Sequence, residues 1–433
     1  MSAGFIHLSD IHFGQEKGGA ASIHDDIKEC VIRDVEQMCK SFANGKAEGV
    51  LVTGDIAYSG LAHQYQFAAT WLDKIAEAAG CKVYDIQVIP GNHDVDRSTL
   101  TKLTRKMLDE IVDQGQVALD GYMSTDADRA MLFNRFEHFM PFAEAYRCPL
   151  DQYGRVSEDR VVELSPGRVI RFVRLNSALT SYDKPEEGNL LLGESQHVIK
   201  QQSGEEQIVL SHHPLRYFKD KDEALKYVKN RARIFISGHE HDSSITVEKI
   251  EDGKDLMLLA AGATIPPKDA AGGKRDYCFN LIEFDWDETT DGLEVKIFPR
   301  TWNDDKKMFE AGISGGVIVH KLGCPNFRGT VKPAKAVQVE PETASAETIV
   351  ILPSAKDEGE TESTKMEETY PLLVLRFFRD ISYSQRIEIL MKLGALPENW
   401  SGNLNEAHAR SLIDWLIKKG REEEVWTELN SKL

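Results

Sequence analysis

The sequence predicts a mixed α/β fold followed by a small all-α unit at the C-terminus. Up to residue 324, short apolar runs of strand length alternate with longer stretches whose apolar residues recur at helical spacing. Residues 325–368 are rich in Pro, Ala, Thr, Ser and Glu, and residues 369–433 return to helical periodicity alone. We therefore expect an α/β domain over residues 1–324, a flexible linker over 325–368 and a helical bundle over 369–433.

Composition and charge exclude several classes of protein. The chain of 433 residues is 41% hydrophobic and 28% charged, which is typical of a soluble globular protein. A net charge of −18 disfavours broad adhesion to duplex DNA or anionic lipid. The six cysteines are far apart in sequence, which favours reduced thiols in a cytoplasmic protein. With no secretory signal at the N-terminus and no apolar run of ~20 residues, we expect neither export nor membrane insertion.

Five apolar runs have the length and the flanking turn residues of buried strands. Each run stops at a cluster of polar residues, and the runs cover residues 5–8, 50–53, 85–89, 207–210 and 233–236. Amphipathic helices are predicted between the first three runs, over 23–42 and 64–79. Because strand ends in an alternating α/β pattern meet at one sheet edge, we expect the polar clusters to converge there.

Residues 97–150 interrupt this alternation with a predicted helical insertion. Two helices are expected in it, over 100–111 and 127–146. The second helix carries phenylalanines at three-residue intervals, at Phe133, Phe136, Phe139 and Phe142. This stripe favours a packing face. The alternative is a cap over the polar clusters, whose aromatic rings hold a substrate base or an apolar leaving group.

Further elements are predicted on both sides of the linker. Strands are expected over 256–259, 277–284, 293–299 and 316–320, as antiparallel hairpins that form a second sheet against the first. Beyond the linker, Ser382 and Gln385 offer a capping box for a helix that ends near Gly394. Helices over 405–420 and 422–433 should follow, with apolar area supplied by Trp400, Trp415 and Trp426.

The polar clusters supply carboxylate, amide and imidazole groups for two adjacent divalent cations. They are Asp10-Ile11-His12, Gly54-Asp55, Gly91-Asn92-His93-Asp94, His212-His213-Pro214 and Gly238-His239-Glu240-His241. Two such cations, about 3.5–4 Å apart, repel each other, so a carboxylate must bridge them, and Asp55 in its Gly-flanked turn suits this role. Nitrogen and oxygen ligands without sulfur fit Mn, Fe, Zn, Co or Ni, and manganese is our working choice.

In this order the five clusters resemble the signature of the calcineurin-like metallophosphoesterase superfamily: D-x-H, G-D, G-N-H-[DE], H and G-H-x-H. The resemblance covers residues 10–241 and implies a four-layer αββα sandwich. It also implies two sets of metal ligands joined by Asp55: Asp10, His12 and His241 for one ion, and Asn92, His212 and His239 for the other. His212 is preferred to His213, because the ligand in relatives precedes one residue and then proline.

The chemistry expected from such a site is hydrolysis of a phosphoric ester. A water molecule between the ions would be ionised near neutral pH and would attack phosphorus as a bridging hydroxide. His93 should donate a proton to the leaving-group oxygen, while Asp94 accepts a hydrogen bond from the other ring nitrogen of His93. We expect a phosphodiesterase that acts on nucleotides or other small diesters.

The substrate stays open between small diesters and nucleic acid. Residues 54–60 and 90–97 resemble those of bacterial cyclic-nucleotide phosphodiesterases, but repair nucleases of the superfamily share the ligands. A cluster of basic residues is either a solvated helix face or a guide for a nucleotide or single-stranded nucleic acid. This basic cluster consists of Arg216, Lys219, Lys221, Lys226, Lys229, Arg231 and Arg233.

The C-terminal helices predict a role in protein association. Residues 375–378, 384–390 and 393–396 resemble bacterial death-like, effector-associated adaptor domains, which recruit partners through helical contacts. The alternative functional hypothesis is a DNA or RNA nuclease that this domain recruits as an effector in a bacterial defence system. Self-association through the same helices is a further alternative.

Overall fold

The computed structural model describes residues 2–16, 20–158, 160–266, 277–312, 316–327 and 360–433. The strands within these ranges are β1 (Ala3–Leu8), β2 (Gly49–Thr53), β3 (Ile86–Ile89), β4 (Arg160–Ser165), β5 (Arg168–Arg174), β6 (Glu205–Leu210), β7 (Ala232–Ser237), β8 (Ser243–Lys249), β9 (Asp255–Ala261), β10 (Cys278–Asp287), β11 (Gly292–Asn303), β12 (Met308–Ala311) and β13 (Ile318–Leu322). The α-helices are α1 (Ala20–Cys39), α2 (Ala62–Ala79), α3 (Lys102–Gln114), α4 (Gln116–Met123), α5 (Asp126–Phe133), α6 (Phe139–Ala145), α7 (Glu194–His197), α8 (Lys221–Arg231), α9 (Glu360–Arg379), α10 (Tyr383–Lys392), α11 (Glu406–Lys418) and α12 (Glu422–Asn430).

The first sheet has the order β12-β11-β10-β1-β2-β3, with β13 also paired to β11. Strands β1, β2 and β3 are parallel, and β10 runs antiparallel to β1. The prediction that the late hairpins form a second sheet is therefore wrong for β10, β11 and β13, which extend the first sheet. The pairing of β10 with β1 covers an edge of β1 that would otherwise expose unpaired backbone groups.

The second sheet has the order β4-β5-β6-β7-β9-β8. Its inner strands β5, β6, β7 and β9 are parallel, while β4 and β8 pair antiparallel at the edges. The sequence patterns did not predict β4, β5 or β8. Most residues of β4 and all residues of β8 are half-buried or exposed, so neither strand contains the continuous apolar run that marks a buried strand.

The two sheets pack face to face and helices cover them, which confirms the predicted α/β sandwich. Phe172 of β5 lies between the sheets, with its ring 5.1 Å from Phe5 of β1 and 6.3 Å from Phe284 of β10. Helices α1 and α2 contact the first sheet through β12 and β2, and α8 contacts the second sheet through β6 and β7. All residues of β1, β2 and β3 are buried, as expected for strands covered on both faces.

The helical insertion contains α3, α4, α5 and α6, where the sequence predicted two helices. Its phenylalanine stripe is a packing face. Phe136, Phe139 and Phe142 are buried, and the rings of Phe139 and Phe142 lie 6.1 and 5.0 Å from the ring of Tyr65 on α2. These three rings belong to the core, while Phe133 is half-buried, and this favours the packing face over a role in holding a substrate base.

Helices α9 to α12 form the predicted small all-α unit, which contacts the insertion mainly through α9 and α6. Helix α9 begins inside the range of the predicted linker, and residues 328–359 of that range lie outside the described residues. Trp415 is 44% exposed, so its predicted contribution to the bundle core is wrong. Within the described ranges, no helix combines the length and the apolar character that a membrane span requires.

Two ion-pair clusters join the C-terminal unit to the α/β domain. Arg410 of α11 contacts Glu144 of α6 over 2.6 Å and Glu158 over 3.1 Å. Arg379 of α9 contacts Asp73 of α2 over 2.6 Å. Glu144 is 3% exposed at its side chain, so Arg410 neutralises a carboxylate that has little access to water.

Candidate metal centre

The seven predicted ligands converge where the strands of both sheets end. Those of the first sheet follow β1, β2 and β3, and those of the second sheet follow β6 and β7. The ligands thus meet at the shared end of the sandwich, which corrects the expectation of a single sheet edge. Packing of the sheets face to face brings the two groups together, although Asn92 and His212 are 120 residues apart in sequence.

One group of donors surrounds Asp10. The Nε2 atom of His241 lies 3.2 Å from Asp10 Oδ1, and the Nε2 atom of His12 lies 3.1 Å from Asp55 Oδ2. The donor atoms of Asp10, His12 and His241 all lie within 4.8 Å of one another. We call these three residues the first half-site.

A second group surrounds Asn92. Its Oδ1 atom lies 3.0 Å from Nε2 of His212 and 3.2 Å from Nδ1 of His239. The Nε2 atom of His212 also lies 3.4 Å from Asp55 Oδ1. We call Asn92, His212 and His239 the second half-site. Asp55 therefore directs Oδ2 toward the first half-site and Oδ1 toward the second.

The backbone at this centre adopts the left-handed conformation with positive φ, which residues other than glycine rarely take. Five of the nine non-glycine residues with positive φ among the described residues are predicted ligands: Asp10 (54°), His12 (54°), Asp55 (52°), His239 (70°) and His241 (62°). Each such residue costs of order 1–3 kcal/mol, and this kind of strain clusters at functional sites. The loops are held in place by their packing rather than by local preference.

Two glycines of the polar clusters allow the loops to approach one another. A Cβ atom at Gly91 would lie 2.2 Å from Asp55 Oδ1, and one at Gly238 would lie 2.0 Å from Ser9 Oγ and 2.8 Å from Asp10 Oδ2. Neither space can hold a methyl group without displacing a carboxylate or its support. The glycine that begins each of the G-N-H and G-H-x-H patterns is therefore required for steric reasons.

Carboxylates and imidazoles perturb one another strongly here. Burial raises the pKa of Asp55, but His212, His93 and His12 together hold it well below its usual value. Burial lowers the pKa of His212, but Asp55 and Asp10 outweigh it and raise the pKa to about 10. Nitrogen and oxygen donors around two carboxylates, buried except for the half-buried His239 and His241, fit two divalent cations, which would replace the protons held by the imidazoles.

His93 and Asp94 do not interact as predicted. The Nδ1 atom of His93 lies 2.7 Å from the carbonyl oxygen of Tyr58, so that carbonyl orients the ring. Asp94 is fully buried and accepts hydrogen bonds from the backbone of its own loop and of the Asp55 loop, with donors at Ile56, Ala57 and Gly91. Burial and the charge of Asp55 raise the pKa of Asp94 to about 6. Asp94 therefore positions the loops rather than the His93 ring.

Most residues of the basic cluster pair with carboxylates or with backbone carbonyls. Arg216 contacts Glu187 and Glu240, Lys226 contacts Glu223, and Lys229 contacts Glu248. Arg233 is buried against Glu206 at 3.1 Å. Lys219 and Arg231 donate to the backbone carbonyls of Val112 and Ile199. These pairings favour the solvated or structural interpretation over a guide for nucleic acid.

Sequence patterns missed four residues that support the centre. Two of them, the Tyr58 carbonyl and the Tyr65 hydroxyl, come soon after Asp55 in sequence. The recognisable pattern in that region covers Asp55 and gives no role to either tyrosine. Ser177 and Glu186 follow β5 and contact His213. Because β5 was not predicted, its C-terminal end could not be recognised as a part of the site.

Comparisons with known proteins agree with this geometry. A family model described as calcineurin-like phosphoesterase matches residues 4–243, and a model described as GTPase-associated adaptor domain matches residues 369–431. The metallophosphoesterase-like protein YydB of Bacillus subtilis (strain 168) is 22% identical over 328 residues. The match covers 73% of this chain and 63% of YydB, so the chain spans less than two thirds of that relative's length.

Two solved structures match the chain with low sequence identity and low TM-scores. Vps29 of Chaetomium thermophilum is 10% identical with a TM-score of 0.27, and the match covers 74% of this chain and 97% of Vps29. A hypothetical protein of Thermus thermophilus is 12% identical with a TM-score of 0.33, over 74% of this chain and 100% of that protein. The phosphoesterase family model covers more than half of the chain and includes all seven predicted ligands. The chain therefore belongs to the calcineurin-like phosphoesterase family.

Proposed function

We propose that this phosphoesterase uses two divalent cations to hydrolyse phosphodiesters, of nucleotides or of other small molecules. The observation that carries the dinuclear proposal is the division of Asp55 between the half-sites, with Oδ2 near His12 and Oδ1 near His212. A carboxylate shared in this way suits two closely spaced cations, because it offsets their mutual repulsion.

Cations bound there would activate a water molecule and offset the negative charge of the phosphoryl group. The chain itself would supply the proton for the leaving group. The Tyr58 carbonyl accepts a hydrogen bond from Nδ1–H of His93, so the doubly protonated ring would donate the transferable proton from Nε2 and stay protonated at Nδ1. The backbone N–H of His93 donates to Asp55 Oδ1 over 2.8 Å, so one short segment positions both the bridging carboxylate and the acid.

Small diesters are favoured over nucleic acid as the substrate. The chain is acidic overall, with a net charge of −18, and its basic cluster pairs largely with carboxylates and backbone carbonyls. A channel that follows a nucleic acid backbone needs accessible positive charge. Manganese remains the proposed metal, with Fe, Zn, Ni and Co as alternatives for the same donors.

A second candidate function rests on the match to the adaptor-domain family at residues 369–431. In this proposal the enzyme is an effector, such as a DNA or RNA nuclease in a bacterial defence system, that a protein partner recruits through the C-terminal helices. Self-association through these helices is the alternative. Sedimentation of the purified full chain at several concentrations distinguishes recruitment by a partner from self-association. Only self-association makes the apparent mass of the purified chain rise with concentration.

The enzymatic proposal is tested by metal analysis combined with turnover. We expect the full chain, reconstituted with Mn²⁺, to bind two ions and to hydrolyse bis-p-nitrophenyl phosphate and cyclic nucleotides faster than single-stranded oligonucleotides. His93→Asn should keep both ions and lose about 10²–10⁴-fold in kcat. Asp55→Ala should lose both ions. Loss of both ions in His93→Asn would contradict its role as a proton donor, and faster cleavage of oligonucleotides would favour the nuclease.

A further inference from the structure

His213 lies beside the second half-site, but its ring nitrogens face other groups. Its Nδ1 atom lies 2.9 Å from Ser177 Oγ, and its Nε2 atom lies 3.3 Å from Glu186 Oε2. Both His213 and Ser177 are fully buried. The backbone N–H of His213 also donates to Ser177 Oγ over 3.1 Å. Three contacts therefore fix the ring between the end of β5 and the end of β6.

These contacts determine which ring nitrogen carries the proton. An ionised Glu186 carboxylate only accepts hydrogen bonds, so Nε2 of His213 must be the donor. Ser177 Oγ already accepts from the backbone, and its own hydrogen is then free to donate to Nδ1. With Nε2 protonated and Nδ1 engaged by a hydroxyl, His213 has no free lone pair for a cation.

The ring of His213 contacts both imidazoles of the second half-site. Its centroid lies 4.8 Å from that of His212 and 4.5 Å from that of His239. The ring thus fills the space beside these two candidate ligands and limits the orientations that each can adopt.

Glu186 adds a negative charge beside the second half-site, and His239, Arg97 and His212 lie near enough to offset part of it. Its side chain is 11% exposed, and its Oε1 atom is buried without a hydrogen-bond partner among the described residues. A buried carboxylate with an unpaired oxygen is costly unless positive charge lies nearby. A cation in the second half-site would supply such a charge.

We propose that Ser177, His213 and Glu186 form a positioning network that sets the affinity of the second half-site for its cation. This inference rests on the proposed function, since it requires that a cation binds there. The network acts through the orientation of His212 and His239 and through the negative charge of Glu186. Its effect on the second half-site should be larger than its effect on the first.

The experiment is Mn²⁺ titration of the metal-free full chain by calorimetry, with two binding constants fitted. Glu186→Ala and Ser177→Ala should each weaken one of the two sites by about 10–100-fold, the usual effect of losing a group that orients a metal ligand. Glu186→Gln keeps an acceptor for Nε2–H of His213 and should bind more tightly than Glu186→Ala. The control is Glu187→Ala, which removes a neighbouring carboxylate that is 68% exposed and paired with Arg216.

The ligand variant His239→Ala separates this inference from the proposed function. If His239→Ala still binds two ions as tightly as the unmodified chain, the proposed metal centre itself is wrong. If His239→Ala loses one ion but Glu186→Ala keeps both constants unchanged, only the positioning network is wrong. Equal weakening of both sites in Glu186→Ala, or a similar loss in Glu187→Ala, would also overturn the network, because it is specific to the second half-site.

Discussion

The hydroxyl of Tyr65 donates a hydrogen bond to Asp94 Oδ1 over 3.0 Å and thereby joins α2 to the loop that carries Asn92 and His93. Phe139 and Phe142 of α6 pack against the Tyr65 ring, and α6 in turn contacts α9. One aromatic layer thus supports both the candidate metal centre and the C-terminal helices.

Tyr65→Phe tests the support that this layer gives to Asp94. Asp94 would lose one partner while its backbone donors stay in place, so we expect the free energy of unfolding to fall by about 1.5–3 kcal/mol, the range for hydrogen bonds to charged groups. Chemical denaturation near pH 8 measures the free energy of unfolding of the variant and of the unmodified chain. The control Tyr122→Phe removes a hydroxyl that donates to Glu110 on the surface of the insertion, and it should change stability by less than about 0.5 kcal/mol. Equal losses in the two variants would contradict a special role for Tyr65.

Gly91→Ala tests the steric reason for the glycine beside Asn92. The backbone of Gly91 has φ −104°, which alanine adopts readily, so the clash of the new Cβ with Asp55 Oδ1 is the main effect. We expect loss of both cations, measured by elemental analysis after dialysis, because Asp55 contacts both half-sites. Gly121→Ala is the matched control, since a Cβ there meets nothing within 4 Å. Retention of two tightly bound ions by Gly91→Ala would refute the clash.

Arg410→Ala tests the docking of the C-terminal helices. It leaves Glu144 buried without its cationic partner, a loss of about 3–5 kcal/mol for a buried pair. We expect faster hydrogen exchange in α6 and α9, measured by mass spectrometry. Lys392→Ala removes an exposed cation from the same unit, paired with Glu428, and should leave the exchange of α6 unchanged. Unchanged exchange in Arg410→Ala would show that the ion pairs do not hold the unit in place.

His7 predicts a pH dependence of stability. Burial lowers the pKa of His7 from 6.5 to about 3, against a smaller opposing effect of Asp10. Between these pKa values the unfolded chain binds a proton that the folded chain does not, so stability falls as the pH decreases below 6.5. We compare the metal-free protein with His7→Gln. The free energy of unfolding of the unmodified protein should fall by about 1.4 kcal/mol more per unit decrease in pH, between about pH 6 and 4. Urea denaturation at several pH values measures the free energy of unfolding of both proteins. If the two free energies change in parallel with pH, the prediction is contradicted.

The sequence determined the main strands of the candidate centre and where its predicted ligands lie along them. The predictions for β1, β2, β3, β6 and β7 agree with the structure because each strand is a continuous apolar run that stops at a polar cluster. These signals are local. A buried strand and the loop that follows it can be read from a few consecutive residues.

Only the tertiary structure decided which neighbours these elements have. The backbone hydrogen bonds of a strand are the same with any partner, so the sequence could not assign β10 and β11 to the sheet of β1 rather than to the opposite one. The partners of Asp94 and His213 depend on loops that are distant in sequence, and the contact of Arg410 with Glu144 joins elements 266 residues apart. Such contacts arise when packed layers bring side chains together, and no local pattern records them.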